Sequence, residues 1–423
     1  MKKLIYTLLA FAAICTSCVQ DVDDVYDKPV AQRVEEAVQE YQALLQSSEH
    51  GWLMEYYPHS SQIYGGFNYI MKFKEGEKVV VATDAFGEPE ETAESLFSVK
   101  KDIGPTLNFD TYNELFHYFA DPDLSEGAGT GKGYEGDHEF LLRSHTENEI
   151  MLRGKKTKNI IKMTRLTEDG TPYLASAIKV DEEINSLEGV LGFGGTLNGK
   201  KLELLYEDSR IFKVMYDGET IATTAFMPTA TGIQLYLPVE VEGRELQRFA
   251  WSAANKTLTA ENETNVVLNV VDDPEYLFYI QYLGKYTMKY TGYKGAASIE
   301  IELVKKEDKK SYTIKGMLPI DLTMIYNKTE RRMELLNQKL PDGSEAYLSI
   351  WNVNPGNLYY GGTEFANGMY GKLKEGTTNE YKFVDDGRKE GFEVRGMILW
   401  SKAGEYRVYN ESRFADITLI KHE

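Results

Sequence analysis

Cysteine is almost absent. The 423 residues hold two, Cys15 and Cys18, so no disulfide and no cysteine-ligated zinc site is available beyond the first eighteen positions. Histidine is scarce, with six residues: His50, His59, His117, His138, His145 and His422. None falls in a His-Glu-x-x-His or His-x-His pair, so zinc-hydrolase chemistry has no support here. Gly-x-Ser-x-Gly is missing too, and with it the usual sign of a serine nucleophile. Positive charge is short: 47 Lys and Arg stand against 66 Asp and Glu, a formal net charge of −19. So acidic a surface repels nucleic acid and anionic headgroups, because phosphate binding needs clustered Lys and Arg. Long apolar runs are lacking apart from Leu4–Ile14, which follows Lys2 and Lys3 and precedes small residues. That run is too short to span a bilayer, so residues 1–17 read as a removable export signal.

What is present is aromatic and strand-forming. Hydrophobic residues make up 42% of the chain and aromatics 12%, including 29 tyrosines. This favours packed cores, strands and surfaces that contact ligands. Asp27 and Pro29 open a first predicted helix, with Val30, Val34, Val38, Tyr41 and Leu45 on one face. Thr111 and Glu114 form a capping-box pattern before Leu115, Phe116 and Phe119. Thr171-Pro172 opens a third helix, near 172–188, with Tyr173, Ala177, Val180, Ile184 and Leu187 aligned. Short strand-like runs fill the rest. The fold class is therefore β-rich α+β, mostly antiparallel, in sandwich or partly closed barrel units, with three helices in the N-terminal half. Residues 18–30 form an acidic tether and 31–273 an N-terminal α+β domain. Asp272-Asp273-Pro274 marks the boundary to an all-β domain over 274–423.

Several constellations carry chemical readings. The glycines at 127, 129, 131 and 133 suggest a phosphate cradle, but the loop follows a helix and lacks a Gly-Lys-Ser/Thr end, so a β-loop fits better. Asp121, Asp123, Ser125 and Glu126 offer calcium-type oxygen ligands, against the reading of a solvated acidic loop. His138 and His145 flank a strand and are placed to converge on a metal or haem, against the reading of ordinary surface or core histidines. Carboxylates abound, so a hydrolase whose acid pair assembles only in the fold stays open. Trp351, Asn354, Asn357, Tyr359 and Tyr360 surround a turn at Asn354-Pro355-Gly356-Asn357, suited to stacking and hydrogen-bonding a neutral glycan or a peptide. Tyr286, Tyr290 and Tyr293 form a second aromatic set. For both sets the alternative is that the rings face a core. Aromatic-Gly-Gly at Tyr64, Phe193 and Tyr360 hints at an internal repeat.

Ser17-Cys18 resembles the lipobox of bacterial lipoproteins, which implies lipidation of Cys18, although Cys15 stands where an aliphatic residue is usual. The acidic cluster Asp21, Asp23 and Asp24 looks like the surface-export signal of Bacteroidetes lipoproteins. Gly51-Trp52, Tyr64-Gly65-Gly66-Phe67, Phe109 to Asn113, His117 to Pro122 and Gly131 to Phe140 together resemble a Bacteroidetes lipoprotein family whose domain has no known function. Such proteins resemble accessories of SusC/SusD-type outer-membrane uptake systems. The resemblance implies a lipid-anchored outer-membrane protein facing the cell exterior, acting as a non-enzymatic accessory or binding protein in nutrient uptake. It also leaves a purely structural partner of a transporter, or a haem or metal-uptake accessory, as alternatives.

Overall fold

Trp52, Met54 and Tyr56 are fully buried while Leu53 and Glu55 between them face outward. This period-two alternation is what a strand in a closed sheet requires. The computed structural model describes residues 29–123, 131–343, 345–352, 367–401, 409 and 411–422. It divides into two compact units, one ending at Val271 and the other beginning at Asp272.

The first unit holds helix α1 (Val30–Gln46), then β1 (Trp52–Tyr56), β2 (Phe67–Lys74), β3 (Lys78–Thr83), β4 (Ala93–Lys101), β5 (Pro105–Phe109), the one-turn helix α2 (Glu114–His117), β6 (Glu139–His145), β7 (Glu149–Gly154) and β8 (Ile160–Arg165). Each strand pairs with the next, and β8 returns to β1, closing a barrel. Helix α3 (Thr171–Asn185) then leads into a second closed barrel: β9 (Val190–Leu197), β10 (Lys200–Asp208), β11 (Ile211–Tyr216), β12 (Glu219–Pro228), β13 (Gly232–Val241), β14 (Arg244–Ser252), β15 (Thr257–Ala260) and β16 (Val267–Asp272).

The second unit opens with α4 (Pro274–Ile280), a short helix in what the sequence suggested was an all-β domain. Asp273 caps it by accepting the Glu275 amide, and Pro274 starts it, which is why Asp-Asp-Pro reads equally well as a boundary. The strands are β17 (Gly284–Gly292), β18 (Gly295–Glu307), β19 (Ser311–Lys315), β20 (Leu322–Asn327), β21 (Arg332–Leu336), β22 (Gln338–Lys339), β23 (Ala346–Trp351), β24 (Gly368–Leu373), β25 (Glu380–Asp385), β26 (Gly396–Ser401) and β27 (Arg413–Lys421). β27 pairs with both β25 and β17, so β17 to β21, β24, β25 and β27 close a third ring, while β26, β23 and β22 branch from β27. The antiparallel β-rich class therefore holds, and of the two architectures left open the barrel is the one found, fully closed.

All three rings repeat one plan. A helix precedes eight strands and drops its apolar face into their core: Tyr41 and Leu45 in the first, Val180 and Ile184 in the second, Tyr276 and Tyr279 in the third. A glycine with positive φ follows each helix, at Gly51, Gly189 and Gly284. Gly51 shows why. Its φ is +87°, and a Cβ there would sit 2.7 Å from the Met71 carbonyl oxygen. Beside it, the Trp52 indole donates to the Leu45 carbonyl at the helix end. Aromatic-Gly-Gly, by contrast, marks no repeat. Tyr64 to Gly66 precede β2, Phe193 to Gly195 lie within β9, and Tyr360 lies outside the described residues.

Two local expectations change. Thr111 is not a helix cap; its hydroxyl accepts the Leu96 amide, and Asn113 caps α2 by accepting the Phe116 amide. Tyr286 and Tyr290 point into the third barrel, leaving Tyr293 exposed. There the Tyr279 and Tyr312 rings stack at 4.7 Å, and the hydroxyls of Tyr279, Tyr282, Tyr286 and Tyr312 all donate to backbone carbonyls. The tyrosine richness thus serves cores as well as surfaces.

The Gly51 geometry predicts a graded effect. Gly51→Ala should destabilise the first unit by about 2–4 kcal/mol in denaturant unfolding. Gly76→Ala shares the positive φ with no atom nearby and should cost only about 1 kcal/mol. Equal losses would show that the close approach at Gly51 is relieved.

Candidate functional site: an aromatic cavity beside the first barrel

β1 runs from α1 to α2. Trp52 at its start meets Leu45, and Tyr56 at its end meets Phe116 and Phe119. α2 therefore plugs the far end of the barrel, held by the Tyr69 hydroxyl donating to the Leu115 carbonyl. Just outside this plug lies a cavity of about 360 Å³ lined by Ile63, Tyr64, Phe67, Ala85, Phe86, Tyr118, Phe119 and Tyr134, with Asp208 and Ser209 at its edge. The size and the mostly apolar lining match a small-ligand site.

The rings hold one another at set angles. Tyr118 and Tyr134 lie near-parallel at 5.5 Å. Tyr64 stands perpendicular to Tyr134 at 4.8 Å, and Phe86 perpendicular to Tyr118 at 4.9 Å. Phe67 and Phe119 pack at 4.5 Å behind them. Phe86 is 37% exposed and Ile63 43%, which places them at the open side of the cavity.

Asp208 and Ser209 come from the second barrel, so the cavity depends on how the two barrels of this unit join. Arg210 is the hinge pin of that joint. One guanidinium nitrogen donates to the Gly66 carbonyl at 2.6 Å, another to Asp181 on α3 at 2.8 Å, and the group lies 4.5 Å over the Phe67 ring. Gly65 makes room for it, since a Cβ there would overlap the Arg210 stem. The Gly66 amide donates across the joint to the Phe226 carbonyl. Asn68 donates to Asp84 through its backbone amide and side chain, and to the Pro228 carbonyl. Farther along, Gln234 donates to Glu55 at 2.6 Å. Leu174 of α3 closes the seam over Ile70 and Ala82.

These acids titrate abnormally. Burial pushes the Asp84 carboxyl up to about 6, against the lowering pull of Arg210 and of its hydrogen bonds from Asn68. Burial also raises Glu55, opposed by Gln234 and Arg248. On the outer side of α2, the His117 and His138 rings lie 5.7 Å apart, and burial followed by repulsion from His138 lowers His117. His138 thus meets His117 and not His145, whose ring packs on Tyr41. The His117 Nδ1 accepts the Asn113 amide.

The sites named from sequence fare unevenly. Asp121 accepts the Asp123 amide in a local turn, and Ser125 and Glu126 lie outside the described residues. Among the described residues no three His, Cys, Asp or Glu side chains gather as a metal would need. Trp351 sits half-buried on β23 with the Arg413 guanidinium 4.5 Å over its ring. Cys18, Asn354, Asn357, Tyr359 and Tyr360 lie outside the described residues. Sequence reading missed the aromatic cavity as a site, yet three of the stretches behind the family resemblance build its wall: Tyr64 to Phe67, His117 to Pro122 and Gly131 to Phe140.

The cavity and its joint fall within residues 22–253, which match the profile of a domain of unknown function, DUF4302. The chain belongs to the DUF4302 family. Residues 259–400 match a second domain of unknown function, DUF4987. No curated protein matches the chain. Among solved structures, a transferrin binding protein B from Haemophilus parasuis Hp5 is 10% identical, with 88% of this chain and 74% of that one covered and a TM-score of 0.14. The β subunit of DNA polymerase from Streptococcus pyogenes is 11% identical, with 89% and 91% covered and a TM-score of 0.10. Scores this low carry no argument about this family's fold or role.

Asp84 gives the joint a pH signature. Its folded value of about 6 lies above the unfolded value of 3.8, so the folded state holds a proton the unfolded chain releases. That contribution is complete below about pH 4 and is lost as pH rises through about 6. Relative to Asp84→Asn, the wild type should lose up to about 3 kcal/mol of stability between pH 4 and 7, measured by urea unfolding at each pH. A difference that stays flat across this range would contradict the buried, protonated carboxyl.

Proposed function

We propose that this DUF4302 protein is a surface-anchored, non-enzymatic binding protein of outer-membrane nutrient uptake, and that it holds a glycan or peptide ligand in the aromatic cavity. The observation that carries the reading is the cavity itself: six aromatic rings around about 360 Å³, open at Phe86 and Ile63 and rimmed by Asp208 and Ser209. Rings with polar edges hold flat or compact nutrients by contact area with few directional bonds, which is what capture and release demand. Anchoring rests on Cys18 as the lipid attachment point and on Asp21, Asp23 and Asp24 as the display signal. A SusC/SusD-type transporter is the partner this placement favours. The Trp351 turn is the less favoured site, because Arg413 already covers one face of its ring.

Two outcomes are expected. Cys18→Ala should abolish incorporation of a fatty-acid probe and release the protein from the membrane fraction; continued labelling would refute the anchor. In calorimetry of the chain lacking residues 1–18 against basic peptides and neutral oligosaccharides, Phe86→Ala and Tyr134→Ala should each weaken binding by about 1–2 kcal/mol. Trp351→Ala should leave it unchanged. The reverse pattern would move the site to the second unit.

A further inference from the structure

The aromatic cavity takes, we propose, the alkylammonium head of a cationic ligand. This rests on the reading of the cavity as a binding site and narrows its ligand class. Ring faces carry negative charge density, and an ammonium group gains from several rings at once when they surround it. Here rings of perpendicular orientation meet around one space: Tyr64 against Tyr134 at 83°, and Phe86 against Tyr118 at 86°. A sugar favours a flat stacking platform bordered by several amide or acid side chains. Among the described residues this lining offers, beyond its rings, one carboxylate and one serine hydroxyl, Asp208 and Ser209.

Charge points the same way. The Asp208 carboxylate accepts the Ser209 amide at 2.8 Å, and among the described residues no cation pairs with it. Arg210 beside it is already neutralised by Asp181. The unit that contains the cavity is the acidic half of the chain. Residues 1–271 hold 25 Lys and Arg against 43 Asp and Glu, whereas residues 272–423 hold 22 against 23. A field of that sign concentrates cations at the cavity mouth and repels anions. The chain also uses the same chemistry internally, with the Arg210 guanidinium over Phe67.

The test compares choline with its neutral isostere, 3,3-dimethylbutan-1-ol, by calorimetry on the chain lacking residues 1–18. Glycerophosphocholine and a lysine-terminated tripeptide serve as extended probes that distinguish a lipid-derived headgroup from a peptide source. Choline should bind at least tenfold more tightly than the alcohol, and its affinity should fall as salt rises. Asp208→Asn, an exposed change that leaves the core intact, should weaken choline about five- to tenfold without affecting the alcohol. Tyr134→Ala should weaken both. Equal affinity for cation and alcohol, both lost in Tyr134→Ala, would overturn the ammonium assignment and keep the cavity as a binding site. Binding of neutral oligosaccharides alone, abolished by Tyr134→Ala, would do the same. Failure of every probe, or binding indifferent to Tyr134→Ala in a folded variant, would overturn both readings.

Discussion

The Arg210 guanidinium is the interaction on which the first unit depends. It is mostly buried, and a buried cation is tolerated only when its donors are met. Asp181 from α3, the Gly66 carbonyl from the first barrel and the Phe67 ring meet it together. Three separate elements are thereby fixed at one point. Removing any of them would leave charge stranded in the seam, so the joint favours being whole over being partly open. The cavity inherits this rigidity, because Asp208 and Ser209 immediately precede Arg210 and the ring of Phe67 is both cavity wall and guanidinium platform.

The same economy of means explains the composition. A chain with no cysteine after Cys18 fills each of its three barrels with the helix that precedes it, and the first also with α2. Tyrosine on the strands suits the packing against these helices. Its ring fills the barrel while its hydroxyl satisfies a carbonyl, as Tyr69 does at α2 and Tyr312 at α4. In the second unit the buried Glu334 carboxylate is met by Arg332, Arg388 and Asn327, which hold it below the usual carboxylate range against the raising effect of burial. Arg210 and Glu334 thus both carry buried charge inside a cluster of partners that meets it.

Much of the architecture was legible, and the gaps have physical reasons. The helices at Val30 and Thr171 show clean 3.6-residue periodicity, and strands such as Phe67–Lys74 are apolar enough to stand out. Val190–Leu197 does not, because its glycines look like a turn. They are there for close approach, since a Cβ on Gly192 or Gly195 would strike a neighbouring strand's carbonyl. Glu219–Pro228 hides for the opposite reason: its outer face is polar and even exposes Ile221. Barrel closure is invisible in any one strand, because it lies in the β8–β1 and β27–β17 pairings across more than a hundred residues. The cavity was half legible. Its motifs stand out as family marks, but Phe86 reaches it from the segment between β3 and β4 and Asp208 from the end of β10, and the joint brings Asp208 to Tyr64 and Tyr134.

The central claim is that the two barrels of the first unit behave as one body through the Arg210 joint. Native-state hydrogen exchange of the full chain tests it most directly, followed across low denaturant concentrations on core amides such as Met54 and Met163 in the first barrel and Val214 and Leu235 in the second. The structure predicts one opening free energy and one denaturant dependence shared by both barrels, as a single cooperative unit shows. Independent openings, with one barrel's core amides exchanging while the other's stay protected, would contradict it.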